Sequence, residues 1–317
     1  MTQSRIFIEA LKHEDVATLG QVSKTDVHNH GFYGTRRGNI EKWAGCSIPA
    51  PPEVFNTIEE MNGYVTEAFI SYIVSQKGFE FILLSALQDA IDDGVKLLEM
   101  SIDSYALGFY PPGIEGMLSY LHTLQTNYSD VITFLPELGI SRDHPLPELL
   151  PTVQACIESG LFRSLDLYGN EHAQPPETYK QVYADAQQAG MKLKAHVGEF
   201  GSAEYIRQTV EILELAEVQH GINAIESKEV MTWLAQNVIQ LNICPTSNVV
   251  LSRVAQMQDH PIRLLYDQGI PVTINTDDLV IFDQSVSDEY LNLFKAGVLS
   301  GRELDDIRLR ALEKINT

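Results

Sequence analysis

Cysteine is scarce in this chain: Cys46, Cys156 and Cys244 are odd in number, far apart and without a Cys-x-x-Cys pair. That excludes a disulfide framework and a thiolate zinc site, and it predicts a reducing interior. Basic residues are also few, 22 Lys+Arg against 43 Asp+Glu in 317 residues, which leaves a formal charge of −21. Such a field repels polyanions and no long Lys/Arg cluster offsets it, so neither nucleic acid nor an anionic membrane is expected as a partner. Apolar runs of about 18 residues, the signature of a membrane span, are absent. Residues 1–20 carry His13, Glu14 and Asp15 in place of a long apolar segment. No signal peptide is predicted, and the expected location is cytoplasmic.

What the chain has is apolar patterning. Hydrophobic residues are 44% of the sequence, enough for a large core, and from residue 95 strand-like and helix-like stretches alternate. Strands are predicted at 95–101, 131–135, 161–167, 191–196, 217–220, 238–244 and 271–275, after a first strand that reaches His28 and His30. Helical patterns cover 4–19, 57–93 with a break near 76–78, 113–127, 147–159, 176–189, 202–214, 226–236, 260–268, 286–296 and 301–315. Glycines make 31–38 a loop, and Pro49, Pro51 and Pro52 keep 45–55 irregular. Eight alternations with short connections predict an α/β fold, a single (β/α)8 TIM-type barrel with extra helices over residues 1–317. The segment 38–75 reads as a lid or flank.

In such a barrel the chemistry lies at the C-terminal ends of the strands. His28 and His30 are two apart, so on a strand both rings project from one face. The fifth strand delivers His196 and the eighth delivers Asp277. Three imidazoles and a carboxylate suit Zn²⁺, although iron or manganese would take the same set. Singly, each has a plainer reading: a polar pair on a half-exposed strand, a helix N-cap at Asp277 or Asp278, a structural histidine at His220. Their joint position at one rim favours the metal. Two-metal hydrolases of this barrel type resemble one another in a lysine or glutamate that bridges the metals from the end of the fourth strand. Here that strand ends Ser164-Leu-Asp166-Leu-Tyr-Gly169-Asn170 without a lysine, so the resemblance implies one metal per chain, with Asp166 or Glu171 as the residues that could reach in. Zinc lowers the pKa of a bound water to about 7. Glu199, one loop turn beyond His196, is placed to give a proton to a substrate, and a carboxyl in a closed pocket is kept protonated by desolvation. Asp278 and His220 remain to take the proton of the attacking water and to orient it. Attack on an aromatic C=N carbon with protonation of the ring nitrogen expels ammonia.

The order His28-x-His30, Asp166-Leu-x-Gly169-x-Glu171, His196-x-Gly-Glu199, His220-Gly221, Cys244-Pro-Thr-Ser-Asn248 and Thr276-Asp277-Asp278 resembles the adenosine deaminase family of metal-dependent amidohydrolase barrels, over about residues 24–280. The resemblance implies that His28, His30, His196 and Asp277 hold one Zn²⁺. It further implies that Glu199 protonates purine N1, that His220 orients the attacking water, and that Asp278 accepts its proton and contacts N7. His30, Gly169 and Asp278 would face the substrate, with the Gly169 backbone N–H at N3 of the base. The implied reaction is hydrolytic removal of the 6-amino group of adenosine or a related 6-aminopurine. Free adenine, a modified adenosine, an N6-substituted AMP, or a pyrimidine or pterin are alternatives, and a non-catalytic nucleoside-binding protein is the reading from another class.

One departure concerns the substrate. Where the family carries Leu-Asp-Gly after the histidines, with the Asp on the ribose, this chain has Gly31-Phe32-Tyr33-Gly34. Phe32 and Tyr33 could stack on a base or simply pack the loop. Arg36, Arg37 and Arg142 are the candidates for an anionic substrate tail, with an ordinary surface pair as the other reading of the first two.

Overall fold

The strand-forming stretches assemble, in the computed structural model, into one eight-stranded sheet in chain order. The structure describes residues 2–108 and 110–313. The strands are β1 (Lys24–His30), β2 (Val95–Asp103), β3 (Thr133–Ser141), β4 (Ser164–Tyr168), β5 (Lys192–Val197), β6 (Glu217–His220), β7 (Gln240–Ile243) and β8 (Val272–Ile274). All seven neighbouring pairs are parallel. Parallel neighbours require a long crossover, and helices supply it. The helix Ala203–Leu213 shows the local logic: Ser202 caps it by accepting from the Tyr205 N–H, and Ile206, Val210 and Leu213 make its buried face.

Side chains help to close the barrel between β1 and β8. The Asp277 N–H donates to the His28 carbonyl at 3.0 Å, the Val27 N–H to Asn275 Oδ1 at 2.9 Å, and Thr276 Oγ1 to Asp26 Oδ2 at 2.6 Å. This seam brings Asp277 against the two histidines of β1.

The barrel interior is charged. Lys194 of β5 is fully buried and meets Glu99 of β2, Glu137 of β3 at 2.8 Å and Glu217 of β6 at 3.7 Å. A side chain can touch β2, β3 and β6 from β5 only across the interior. Lys192 adds contacts to Glu99 at 2.9 Å and Glu217 at 3.2 Å. Despite burial, the three glutamates hold the Lys194 ammonium well above its ordinary pKa. No helix among the described residues is long and apolar enough to cross a membrane.

Several expected boundaries shift. The first helix ends at Lys12 and a separate turn, Val16–Leu19, follows, because Glu14 takes a positive φ of 53° and Asp15 caps the new start. The break in 57–93 lies at residues 74–75, where Ser75 caps Gln76–Asp92, and Gly78 sits inside that helix. The loop expected at 31–38 yields to a helix from Arg37 to Ala44. Strand β3 runs through Pro136 to Ser141 instead of stopping at 135, since β2 stays in register with it as far as Gly139. The first residues of the stretch expected as strand at 161–167 lie before β4. Two short helices, Pro245–Val250 and Leu279–Phe282, were not expected, and the last predicted helix is described as Gly301–Glu313.

Removing one partner from a buried ion cluster strands the others. Lys194→Met, which leaves Glu137 without its cation and Glu99 and Glu217 with Lys192 alone, should cost about 3–5 kcal/mol, read as a lowered urea midpoint in the metal-loaded protein.

Candidate active site

Two imidazoles face each other at the C-terminal mouth of the barrel, with His28 Nε2 3.0 Å from His196 Nε2. Their outer nitrogens decide what lies between. His28 Nδ1 is 3.0 Å from the Asn242 carbonyl, which can only accept, so Nδ1 carries the proton. His196 Nδ1 donates to Asp166 Oδ1 at 3.2 Å, with Oδ2 2.9 Å away, and carries its proton for the same reason. Burial pushes both rings well below the ordinary imidazole pKa, so both are neutral and both Nε2 atoms are bare. Two lone pairs cannot hydrogen-bond each other; a cation between them satisfies both.

Other donors converge on the same point. Asp277 Oδ1 lies 3.7 Å from His28 Nε2 and 3.3 Å from His30 Nε2. Ligand atoms of His28, His196, His220 and Asp277 fall within 4.8 Å of one another, as do those of His30, Asp277 and Asp278. The donor set thus fits a metal ion, and Asp277 belongs to both groups.

A chain of hydrogen bonds separates His220 from the other rings. The Ile262 N–H donates to His260 Nδ1 at 3.2 Å, so His260 Nε2 donates to Asn248 Oδ1 at 3.3 Å. The Asn248 amide then points its NH₂ at His220 Nδ1, 3.1 Å away, and at Glu199 Oε1, 3.3 Å away. His220 therefore accepts at Nδ1 and carries its proton on Nε2, where it lies 3.6 Å from Glu199 Oε2 and 3.7 Å from Asp277 Oδ2. A ring in that tautomer offers a donor to the site, not a lone pair.

Glu199 sits on a loop that one acid fixes. The Glu171 carboxylate accepts the N–H groups of Gly198, Glu199, Phe200 and Gly201 at 2.8, 2.9, 2.8 and 3.1 Å. Burial, then the charges of Asp277 and Glu171, raise the Glu199 carboxyl well above the carboxylate range. Asp278 is raised to about 7 by burial and by Asp277, and its Oδ1 is buried without a hydrogen bond. It stands in the N-cap position of Leu279–Phe282 yet makes no side-chain cap bond, so the capping reading does not account for it. Asp277 and His220 both adopt positive φ, 59° and 62°. Non-glycine residues hold that conformation at a cost, and such strain clusters at functional sites.

A cavity of about 110 Å³ gathers His30, Gly169, His196, Glu199, His220 and Asp278 in its wall. Gly169 has φ 88°, and a Cβ there would stand 2.5 Å from Asp143 Oδ2, so only glycine presents its backbone at this place. Other expectations are corrected. Arg36 is drawn outward, to Asp283 at 2.9 Å and Asp288 at 3.4 Å. Arg142 is 1% exposed, its guanidinium nitrogens have no hydrogen-bond partner, and neither it nor Arg37 lines the cavity. Phe32 packs edge-on against Phe79, 4.9 Å between centroids, and is absent from this cavity's wall. Asp166 and Glu171 act from behind the site, as the partner of His196 and the anchor of the Glu199 loop, and among the described residues neither belongs to a group of candidate ligands.

This is a parallel barrel of the amidohydrolase type, with a candidate metal centre at its C-terminal mouth. The sequence profile described as "Adenosine deaminase" matches residues 143–315. A putative adenosine/adenine deaminase of Treponema pallidum is 32% identical over 277 residues, 87% of this chain and 93% of that protein. The crystal structure of adenine deaminase from Arthrobacter aurescens superposes with a TM-score of 0.78 at 22% identity, covering 92% of this chain and 93% of that one. The N6-methyl-AMP deaminase of Arabidopsis thaliana shares the fold with a TM-score of 0.75 at 19% identity, covering 93% of this chain and 92% of that one. The chain belongs to the adenosine deaminase family and is a hydrolytic deaminase.

Partners that orient a metal-bound histidine typically govern metal affinity by about 10–100-fold. Asp166→Asn, which weakens the hold on His196 without touching a ligand, should lower affinity by that factor in chelator competition.

Proposed function

We propose that the protein removes the 6-amino group of adenosine or a related 6-aminopurine by hydrolysis, with one Zn²⁺ per chain held by His28, His30, His196 and Asp277. The observation that carries this reading is the single cavity lined by His30, His196 and Asp277 together with Glu199, His220 and Asp278, with the bare Nε2 of His28 3.0 Å behind that of His196. Zinc bound there supplies a water acidified to a pKa of about 7.

The residues divide the proton work. Glu199, held protonated by burial, gives its proton to ring nitrogen N1, which makes the adjacent carbon C6 electrophilic. His220 offers its Nε2–H to the oxygen of the attacking water and holds it on line. Asp278, with a pKa of about 7, receives the water's proton and delivers it to the departing amine. A C–O bond forms, the C–N bond breaks and ammonia leaves, and the second proton of the water, released as the 6-oxo group forms, restores the Glu199 carboxyl. The Gly169 N–H would meet N3 of the base, where its positive φ turns the backbone toward the cavity.

The test is spectroscopic. Metal-loaded protein should convert the adenosine absorbance to that of inosine with equimolar ammonia. Glu199→Gln should lower kcat by about 10²–10⁴-fold, the usual weight of a general acid, while zinc content stays at one per chain. Asp278→Asn should likewise keep zinc and lose turnover; loss of zinc in that variant would show that Asp278 is a ligand. If no 6-aminopurine is consumed by zinc-loaded protein, the reading fails.

A further inference from the structure

A second cavity, of about 500 Å³, shares Tyr33, Asn62, Asp143 and Tyr168 with the wall of the first. A ring seated against Glu199 and His220 thus has that space next to it for whatever the ring carries. One side is apolar, built from Val65, Ile70, Ile73, Val74 and Phe79 of the segment between β1 and β2. The boundary is polar and has no lysine or arginine: Asn62, Asp103, Asp143, and the Tyr105 ring stacked 3.6 Å from that of His144.

Neither cavity has a lysine or an arginine in its wall. Arg36 is engaged by Asp283 and Asp288, and Arg142 is buried outside both linings. Arg253 lies over the Phe200 ring, 4.6 Å from its centroid, and donates Nε to the Leu251 carbonyl at 2.8 Å. A phosphate group entering the second cavity would meet Asp103 and Asp143 with no lysine or arginine in the wall to compensate them. Like charges so placed disfavour binding strongly, whereas an uncharged apolar group gains by leaving water.

Asp143 also answers the departure at Phe32. Its carboxylate lines both cavities, lies against Gly169, and accepts only long contacts, 3.4 Å, from the Asn170 N–H. Two oxygens with acceptor capacity to spare, in the wall that the two cavities share, suit the paired hydroxyls of a ribose.

We infer that the substrate is an uncharged 6-aminopurine nucleoside whose ribose hydroxyls are received by Asp143 and whose 5′ position carries an apolar or unionised group into the second cavity, so that 5′-phosphates are rejected. This rests on the deamination reading above. Zinc-loaded enzyme is assayed on adenosine, 5′-deoxy-5′-methylthioadenosine, 2′,3′-dideoxyadenosine, AMP and N6-methyl-AMP. The methylthio nucleoside should match adenosine in kcat/KM within about tenfold, and both nucleotides should fall at least about 100-fold below it. Asp143→Ala should raise KM for adenosine about 10–100-fold with kcat little changed, and leave dideoxyadenosine, which lacks the hydroxyls, unaffected.

Either nucleotide turned over as well as adenosine overturns the inference, the more clearly if Arg253→Ala abolishes that activity. An equal loss on every substrate in Asp143→Ala overturns the role of Asp143, since a merely structural residue would behave so. No turnover of any compound overturns the deamination reading together with this one, whereas preference for a nucleotide leaves deamination standing and removes this inference alone.

Discussion

Two unprotonated nitrogens aimed at each other are the constraint around which the barrel mouth is built. Left alone, the facing lone pairs of His28 and His196 would be buried acceptors without a donor, at a cost of about 1–3 kcal/mol each. The protein enforces the arrangement from behind: the Asn242 carbonyl holds one ring and the Asp166 carboxylate the other. Asp277 adds negative charge at the same point by a backbone conformation that few non-glycine residues adopt. A site that keeps such a geometry is organised for a positive charge, and folding and metal binding are thereby coupled.

The support reaches deep into the barrel. Asn242, whose carbonyl holds His28, gives its side-chain NH₂ to Glu217 at 2.9 Å and Gln219 at 2.8 Å, and its Oδ1 accepts from Gln240 at 2.6 Å and Thr273 at 2.9 Å. Glu217 in turn touches Lys194 and Lys192. The ion cluster of the interior and the position of a site histidine therefore belong to one network. An apolar filling would serve stability as well or better. What the polar filling adds is a fixed partner for every hydrogen bond, so that neighbours in the network cannot shift independently.

The sequence disclosed the elements that repeat and the side chains that meet at the barrel mouth, and it hid what depends on distant partners. Eight strand stretches were legible because apolar runs of that length between helical patterns have few other readings, and His28, His30, His196, His220 and Asp277 were legible because all sit at strand C-termini. The role of Glu171 was not: four backbone N–H groups on one carboxylate is a fact about a loop's path, and no residue pattern encodes it. Asn248 stood inside a stretch already singled out, but its task follows only from His260, twelve residues on, whose ring fixes the amide's direction. The place of Arg142 was hidden for the converse reason, while Arg36 takes the ordinary surface-pair reading. A cation in an acidic chain looks free until the partners that neutralise it, or the core that buries it, are in view.

The acidity of the whole chain bears on the substrate in a way that only the local geometry resolves. A formal charge of −21 slows the approach of any anion. At physiological salt, however, that field decays over about 8 Å, and a nucleotide that arrives must still be accepted or refused by the groups it touches. Within a cavity the screening is weak and single carboxylates regain their weight. Asp103 and Asp143 line the space where a sugar and its 5′ substituent would lie, so these two carboxylates act in the same sense as the global charge. Selection against phosphate thus operates at encounter and again at contact. A neutral nucleoside is penalised at neither stage, and the apolar wall beyond the boundary adds a gain that an anion cannot collect.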